Sequence, residues 1–357
     1  MLAKYDCEFL QSDMQNVKTK SENKLLAHEL LEPSPALISD MRRLEGDIIL
    51  LGVAGKMGPS MAQLARKASD KAGVKRRIIG VSRFSEPGAQ ARLENLGVET
   101  VAADLLNEEH LAALPDAPNV LYLAGTKFGT TGNEAFTWAM NSYLPGRVAE
   151  RYRNSRIVAF STGNVYPFMP ITEGGAAEDH PADPVGEYGQ SCLGRERIFQ
   201  HFSMKYGIPA LIYRLNYAID FRYGVLLEIA KSVAEAKPID LATGFVNVIW
   251  QGDANEIALR AFHHCEVPAK ILNVTGPETI PVKWLAEQFG QHFGRTPKFI
   301  NEVGSTALLS NASQAHRIFG YPRVTLRQMI ELTADWVQRG GETFNKPTHF
   351  QERQGKF

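Results

Sequence analysis

The segment Asp47-Ile48-Ile49-Leu50-Leu51-Gly52-Val53-Ala54-Gly55-Lys56-Met57-Gly58 passes from four consecutive large aliphatic residues into three glycines spaced three apart. A short unbroken apolar run ending in glycine reads as a parallel strand buried on both faces. Downstream, Met61, Leu64, Ala65 and Ala68 recur at helical spacing, so the segment predicts a strand, a tight turn and a helix. Glycines at 52, 55 and 58 permit the turn, a close approach of ligand to backbone, and close packing of helix on strand. The start of such a helix presents unpaired N–H groups and the positive end of its dipole, which suits an anion.

The same alternation continues outward. Strands are predicted at Arg77–Arg83, Glu99–Asp104, Asn119–Gly125, Arg156–Thr162 and Ala210–Leu215, separated by helices long enough for right-handed crossovers. This pattern predicts an α/β, Rossmann-like, doubly wound parallel sheet. Beyond residue 220 the regularity loosens into helices at 224–236, 254–264, 282–293 and 326–338, with strands at 245–250 and 271–275. Residues 46–220 are read as a dinucleotide-binding domain, 221–339 mainly as a smaller substrate lobe, and 340–357 as a polar tail. Trp250 in the lobe is expected in its core. Residues 1–45 are read as an N-terminal helical extension, with a helix over Ser21–Leu31 that Pro33 and Pro35 stop.

Composition narrows the function classes. The chain has 357 residues, 44% hydrophobic, with 39 basic and 39 acidic side chains and no formal net charge. That balance gives no electrostatic footprint for nucleic acid or an anionic membrane. Cys7, Cys192 and Cys265 are few and lack metal-ligand spacing, which fits a reducing compartment without disulfides. His263 and His264 are adjacent, so on a helix they point apart, and no metal is predicted. No apolar run approaches the ~18 residues of a membrane span. Residues 1–13 lack the layout of a signal peptide, and a cytoplasmic location is expected.

Placed between a buried strand and a helix, the glycine motif predicts a dinucleotide site at Gly52, Gly55, Lys56, Met57 and Gly58. The second strand ends in Ser82 and Arg83. A carboxylate there would hold the ribose hydroxyl of NAD, whereas an arginine accommodates the 2′-phosphate of NADP. NADP is therefore favoured over NAD, with a solvated surface charge as the alternative role of Arg83. Asp104 and Leu105 end the third strand, where the carboxylate either meets the adenine amino group or caps the following helix.

Several segments together resemble the extended short-chain dehydrogenase/reductase family, which includes nucleotide-sugar epimerases and dehydratases. Gly52/Gly55/Gly58 is similar to its GxxGxxG, and Leu123-Ala124-Gly125-Thr126-Lys127-Phe128-Gly129 to its fourth-strand segment. Ser161-Thr162-Gly163-Asn164-Val165-Tyr166 resembles the Ser/Thr-x-x-Val-Tyr segment. Tyr188-Gly189-Gln190-Ser191 followed by Glu196 resembles the Tyr-x-x-x-Lys helix, and Arg214-Leu215-Asn216 the strand before the substrate lobe. The likeness covers roughly residues 46–338. It implies cofactor contacts from Leu123, Ala124, Gly125, Lys127, Asn141 and Tyr188, catalysis by Tyr188 and Thr162, and substrate contacts from Asn164, Tyr166 and Asn216. It also implies a homodimer through the helices of the fourth and fifth βα units.

One position departs from that pattern: Cys192 stands where the family has its lysine. A free tyrosine titrates near ~10, and the lysine lowers that value. Three readings follow. Lys127 or Arg195 supplies the cation, the former otherwise a phosphate contact and the latter a surface residue. Alternatively, Tyr188 serves only as an acid, or the chain has become a non-catalytic dinucleotide-binding protein. Cys192 itself is expected as a small apolar filler. The expected activity is an NAD(P)-dependent oxidoreductase or epimerase acting on a sugar, sugar acid or nucleotide sugar, with hydride transfer at the nicotinamide and proton transfer by Tyr188.

Overall fold

Seven of the aliphatic runs pair into one parallel sheet in the structure, a computed structural model that describes residues 32–127 and 129–356. In chain order the strands are β1 (Ile48–Leu51), β2 (Ile78–Ser82), β3 (Glu99–Ala102), β4 (Asn119–Tyr122), β5 (Arg156–Thr162), β6 (Ala210–Leu215) and β7 (Lys270–Val274). Their spatial order is β7-β6-β5-β4-β1-β2-β3. In register, Ile49 faces Ile79 on one side and Val120 on the other. The strand order reverses between β1 and β4, and ligands of such sheets bind at that switch point, beyond the carboxyl ends of the strands.

The aliphatic runs are continuous because both faces of the sheet are covered. Ile48, Leu50, Leu121, Val158 and Leu211 enter one core cluster. Their neighbours Ile49, Leu51, Val120, Ile157 and Ile212 enter the cluster on the opposite face. Helix α2 (Gly58–Lys71) covers the first face with Met61, Leu64, Ala65 and Ala68, the stripe read from the sequence.

The segments flanking the sheet add detail to the expected boundaries. Pro35 starts a helix, α1 (Pro35–Arg43), in which Leu37 N–H donates to the side chain of the N-cap Ser34. Proline suits a first turn because its missing N–H would have had no partner there. Leu37, Met41 and Leu44 join the domain core, so this part of the N-terminal stretch packs on the body. The helix expected over Ser21–Leu31 lies outside the described residues. Within the stretch assigned mainly to the lobe, α9 (Gln251–Arg260) packs on α2, and β7 completes the central sheet. The chain therefore returns to the dinucleotide domain after it has begun the lobe.

The lobe closes around Ile229 of α8 (Val225–Ala234), Phe289 of α10 (Val282–Phe293), and Met329 and Ile330 of α11 (Leu326–Gln338). Trp250 is 4% exposed there and packs on Phe221 at 4.8 Å between ring centroids. After α11 the tail folds back over the body, and its Phe350 joins the lobe core. Among the described residues no helix is long and apolar enough to cross a membrane.

Candidate active site

The glycine loop, the ends of β4 and β5, and the start of the long helix α7 (Gly186–Tyr206) surround one cavity of about 720 Å³ at the carboxyl edge of the sheet. Gly52 has φ +93°, and a Cβ there would lie 2.8 Å from the Ala124 nitrogen. A Cβ on Gly58 would meet the Val53 carbonyl oxygen at 2.0 Å, so this glycine lets α2 pack tightly on the turn. Gly55 differs. A Cβ there has only the Gly52 oxygen nearby, at 3.4 Å, and Gly55 lines the cavity. No side chain caps the start of α2, so its first N–H groups and Gly55 form a cradle of the kind a diphosphate takes.

Lys56, Met57, Leu123, Gly125 and Lys127 line the same cavity. The Lys56 ammonium sits 3.3 Å from the centroid of the Tyr223 ring. Burial, reinforced by Lys127 and Lys346, depresses its pKa to about 7. Burial likewise lowers Lys127 to about 8, and its ammonium donates to the Thr348 carbonyl at 3.3 Å.

The Tyr188 hydroxyl is in hydrogen-bond contact with both Thr162 and the Cys192 thiol. Thr162 also donates to Asn164 Oδ1 at 3.0 Å and accepts from the Asn164 N–H. Burial pushes Tyr188 well above the usual tyrosine value, and Cys192 adds to that, while Arg195 and Thr162 oppose it. Cys192 is fully buried against Val165, Met169 and Ala176, and burial raises its pKa as well. A thiol so placed fills space and stays protonated.

Arg195 is not a surface residue. It is 7% exposed and donates to the Phe160 carbonyl at 2.8 Å and to Asn141 Oδ1 at 2.6 Å. Its guanidinium lies directly behind Gly125, where a Cβ would come within 2.3 Å of it. Asn141, expected at the cofactor, is fully buried. Its amide donates to the Thr126 carbonyl and accepts from the Thr126 N–H, so it holds the loop that carries Gly125 and Lys127. Asn141 does not line the cavity; it acts on the residues that do.

Other expectations are redistributed. Tyr166 is 1% exposed; it donates to Asn273 Oδ1 at 2.9 Å and accepts from Arg214, and it does not line the cavity. Below the site, Glu196 pairs with Arg214 at 2.6 Å and accepts from Ser161, with both charged side chains buried. Asn164 and Asn216 reach the cavity wall, but the Asn216 amide donates to Asn247 Oδ1 and the Leu308 carbonyl. Ala124 is buried against the glycine turn. Arg83 is exposed and Ser82 half-buried at the end of β2. The Asp104 carboxylate accepts from the Leu106 N–H at 3.0 Å, and the Leu105 side chain is buried in the core. Asp104 thus closes a local turn, and the following helix (Glu108–Ala112) is capped by Asn107, whose side chain accepts from the His110 N–H.

The sequence reading missed two sets of lining residues. Tyr217, Tyr223, Gly224 and Val225 come from the entry to the lobe, and Asn345 to His349 come from the tail. The three phenylalanines Phe344, Phe350 and Phe357, spaced along an otherwise polar tail, were the available signal.

The family model described as the NAD-dependent epimerase/dehydratase family matches residues 48–243. Among solved structures, UDP-glucuronic acid 4-epimerase from Bacillus cereus, in complex with UDP-glucuronic acid and NAD, is 19% identical with a TM-score of 0.67. UDP-glucose 4-epimerase from Thermotoga maritima, with UDP-glucose, is 14% identical with a TM-score of 0.68. Each likeness covers 82% of this chain and 99% of the other. dTDP-glucose 4,6-dehydratase from Bacillus anthracis, in complex with NAD, is 16% identical with a TM-score of 0.68, covering 82% of this chain and 96% of that one. No curated protein matches the sequence. The solved relatives share the fold and fit almost whole within four-fifths of this chain.

Proposed function

The chain belongs to the NAD-dependent epimerase/dehydratase family, a family of enzymes, and from that premise we propose that it oxidises, reduces or epimerises a carbohydrate-type carbon. One observation carries the reading: the Tyr188 and Thr162 hydroxyls meet in the cavity that also contains the glycine cradle. The dinucleotide would be held by Gly55, the start of α2, Lys56 and Lys127. When bound, it supplies the hydride carrier. Tyr188 holds a proton on its phenolic oxygen at neutral pH and gives it to, or recovers it from, the substrate oxygen. Thr162 hydrogen-bonds the same oxygen, and Asn164 orients Thr162. Arg195 supplies the buried positive charge that the missing lysine would have provided, acting on Tyr188 through the field and not by contact.

The test is a panel of sugars, sugar acids and nucleotide sugars with NAD or NADP, read by reduced-nicotinamide fluorescence and by product stereochemistry. Dinucleotide binding without turnover of any carbohydrate would favour the rival, a non-catalytic nucleotide-binding protein. Gly55→Val tests the cradle itself, since a branched side chain would enter the diphosphate position. It should weaken dinucleotide binding at least ~100-fold, or ~2.7 kcal/mol, with the thermal transition unchanged. Normal affinity in a folded variant would move the site elsewhere.

The choice of dinucleotide rests on Arg83. With no carboxylate at Ser82 and an exposed guanidinium beside it, NADP(H) should bind more tightly than NAD(H). Calorimetric titration of wild type and Arg83→Ala decides it. A wild-type preference for NAD, or a preference for the 2′-phosphate that survives the substitution, removes the assignment.

A further inference from the structure

Residues 343–355 cross the face of the cavity and are fastened at both sides. Phe344 N–H donates to the Arg222 carbonyl at 3.0 Å, and the Arg222 guanidinium covers the Phe344 ring. Thr348 donates through its N–H and its hydroxyl to the Glu228 carboxylate of α8 on the lobe side. Its carbonyl accepts from Lys127 on the domain side. Phe350 is 5% exposed in the lobe core. Arg353 donates to the Ala242 and Thr306 carbonyls and stacks 4.2 Å from the Phe168 ring. At the far end Gly355 lies against Gly186, the first residue of the Tyr188 helix. A Cβ on either glycine would fall within 2.6 Å of the other's backbone.

The segment is therefore a partition. Asn345, Lys346 and Pro347 line the inner cavity on one side and, on the other, an outer groove of about 450 Å³ along α8 and residues 237–239. A ligand reaching from Tyr188 into the outer groove would have to displace a segment held by at least five hydrogen bonds and a buried phenylalanine. The inner cavity must hold both the nicotinamide end of the cofactor and the substrate. Lys56, Lys127 and Lys346 all face into it, with Glu228 as the nearby counter-charge that Thr348 already engages.

We propose that this C-terminal strap makes the enzyme select a compact monosaccharide bearing an anionic group, a carboxylate or a phosphate ester, and exclude nucleotide-linked sugars. The inference rests on the carbohydrate reading above and names its substrate class. Lys346, brought by the strap, is the specificity-determining residue for that anion, while Lys56 and Lys127 stay with the dinucleotide.

Calorimetry on the full-length, NAD-loaded chain tests this with glucuronate, glucose 6-phosphate, glucose and UDP-glucuronate as probes. At least one of the first two should bind tenfold or more tightly than glucose, and UDP-glucuronate no more tightly than glucuronate. The difference between glucuronate and glucose 6-phosphate identifies which anion the site takes. Lys346→Ala, at an exposed position, should weaken the preferred anion at least tenfold and leave NAD affinity within a factor of two. A chain ending at Gly341 should gain affinity for UDP-glucuronate; if removal of Phe350 unfolds it, Thr348→Val loosens the strap instead. Tightest binding of UDP-glucuronate by the full-length chain overturns the proposal. So does equal binding of glucose and the anions, absence of binding by both anions, or a loss of NAD affinity alone in Lys346→Ala. Anion binding with neither nicotinamide reduction nor a change of stereochemistry would sink the catalytic reading and spare this one. Turnover of glucose with no anion binding would do the reverse.

Discussion

Tyr188→Phe should lower turnover by roughly 10²–10⁴-fold, the usual worth of a positioned proton donor, while dinucleotide affinity stays the same. The variant keeps the ring and removes only the group that meets Thr162. The pH dependence carries the sign. Burial holds the Tyr188 hydroxyl well above the ordinary tyrosine value, so it is protonated throughout the neutral range. As an acid it is loaded there, and carbonyl reduction should be flat with pH. As a base it is scarce, and alcohol oxidation should climb toward alkaline pH. Arg195→Met removes a charge that favours tyrosinate and should move the oxidation limb to still higher pH, whereas Arg195→Lys should restore it. A merely structural arginine would lower stability in both variants and leave the limb where it was. Full activity in Tyr188→Phe would take the tyrosine out of the mechanism and leave the family likeness as a statement about fold.

Glu196→Gln should cost about 3–5 kcal/mol of stability, because it leaves the Arg214 guanidinium charged, buried and without its counter-ion. The two side chains are 0% and 3% exposed, and Ser161 donates to the same carboxylate. Denaturant unfolding should show a lower midpoint with an unchanged slope. Replacing both partners by apolar residues, Glu196→Leu with Arg214→Met, should cost less than the single change, since no unpaired charge remains. A loss below about 1 kcal/mol in Glu196→Gln would mean that water reaches the pair. Neither residue lines the cavity, so the network acts through position: it holds β5, which ends in Thr162, against the helix that carries Tyr188.

The sheet and the glycine turn were legible because their signals are local. Ile48 to Leu51 are aliphatic at every position since both faces of a parallel strand are covered, and Gly52 and Gly58 stand where any Cβ would strike backbone. The spacing of Thr162 and Tyr188 was legible through resemblance, and the fold brings the two hydroxyls together. Other matters depended on distant partners. Tyr166 reads as a cleft residue until Asn273 and Arg214, 107 and 48 positions away, take its hydroxyl. Arg195 reads as a surface charge on a helix until the Phe160 carbonyl and Asn141 enclose it. The tail carries no periodic pattern because it forms neither helix nor strand. Its position follows from Thr348 meeting Glu228 and from Phe350 entering the lobe core. Periodicity records which face of an element is buried, and so the sequence by itself determined the sheet, its helices and the glycine turn. It does not record which remote side chain satisfies a polar group or which segment covers a cleft, and those were decided by tertiary packing alone.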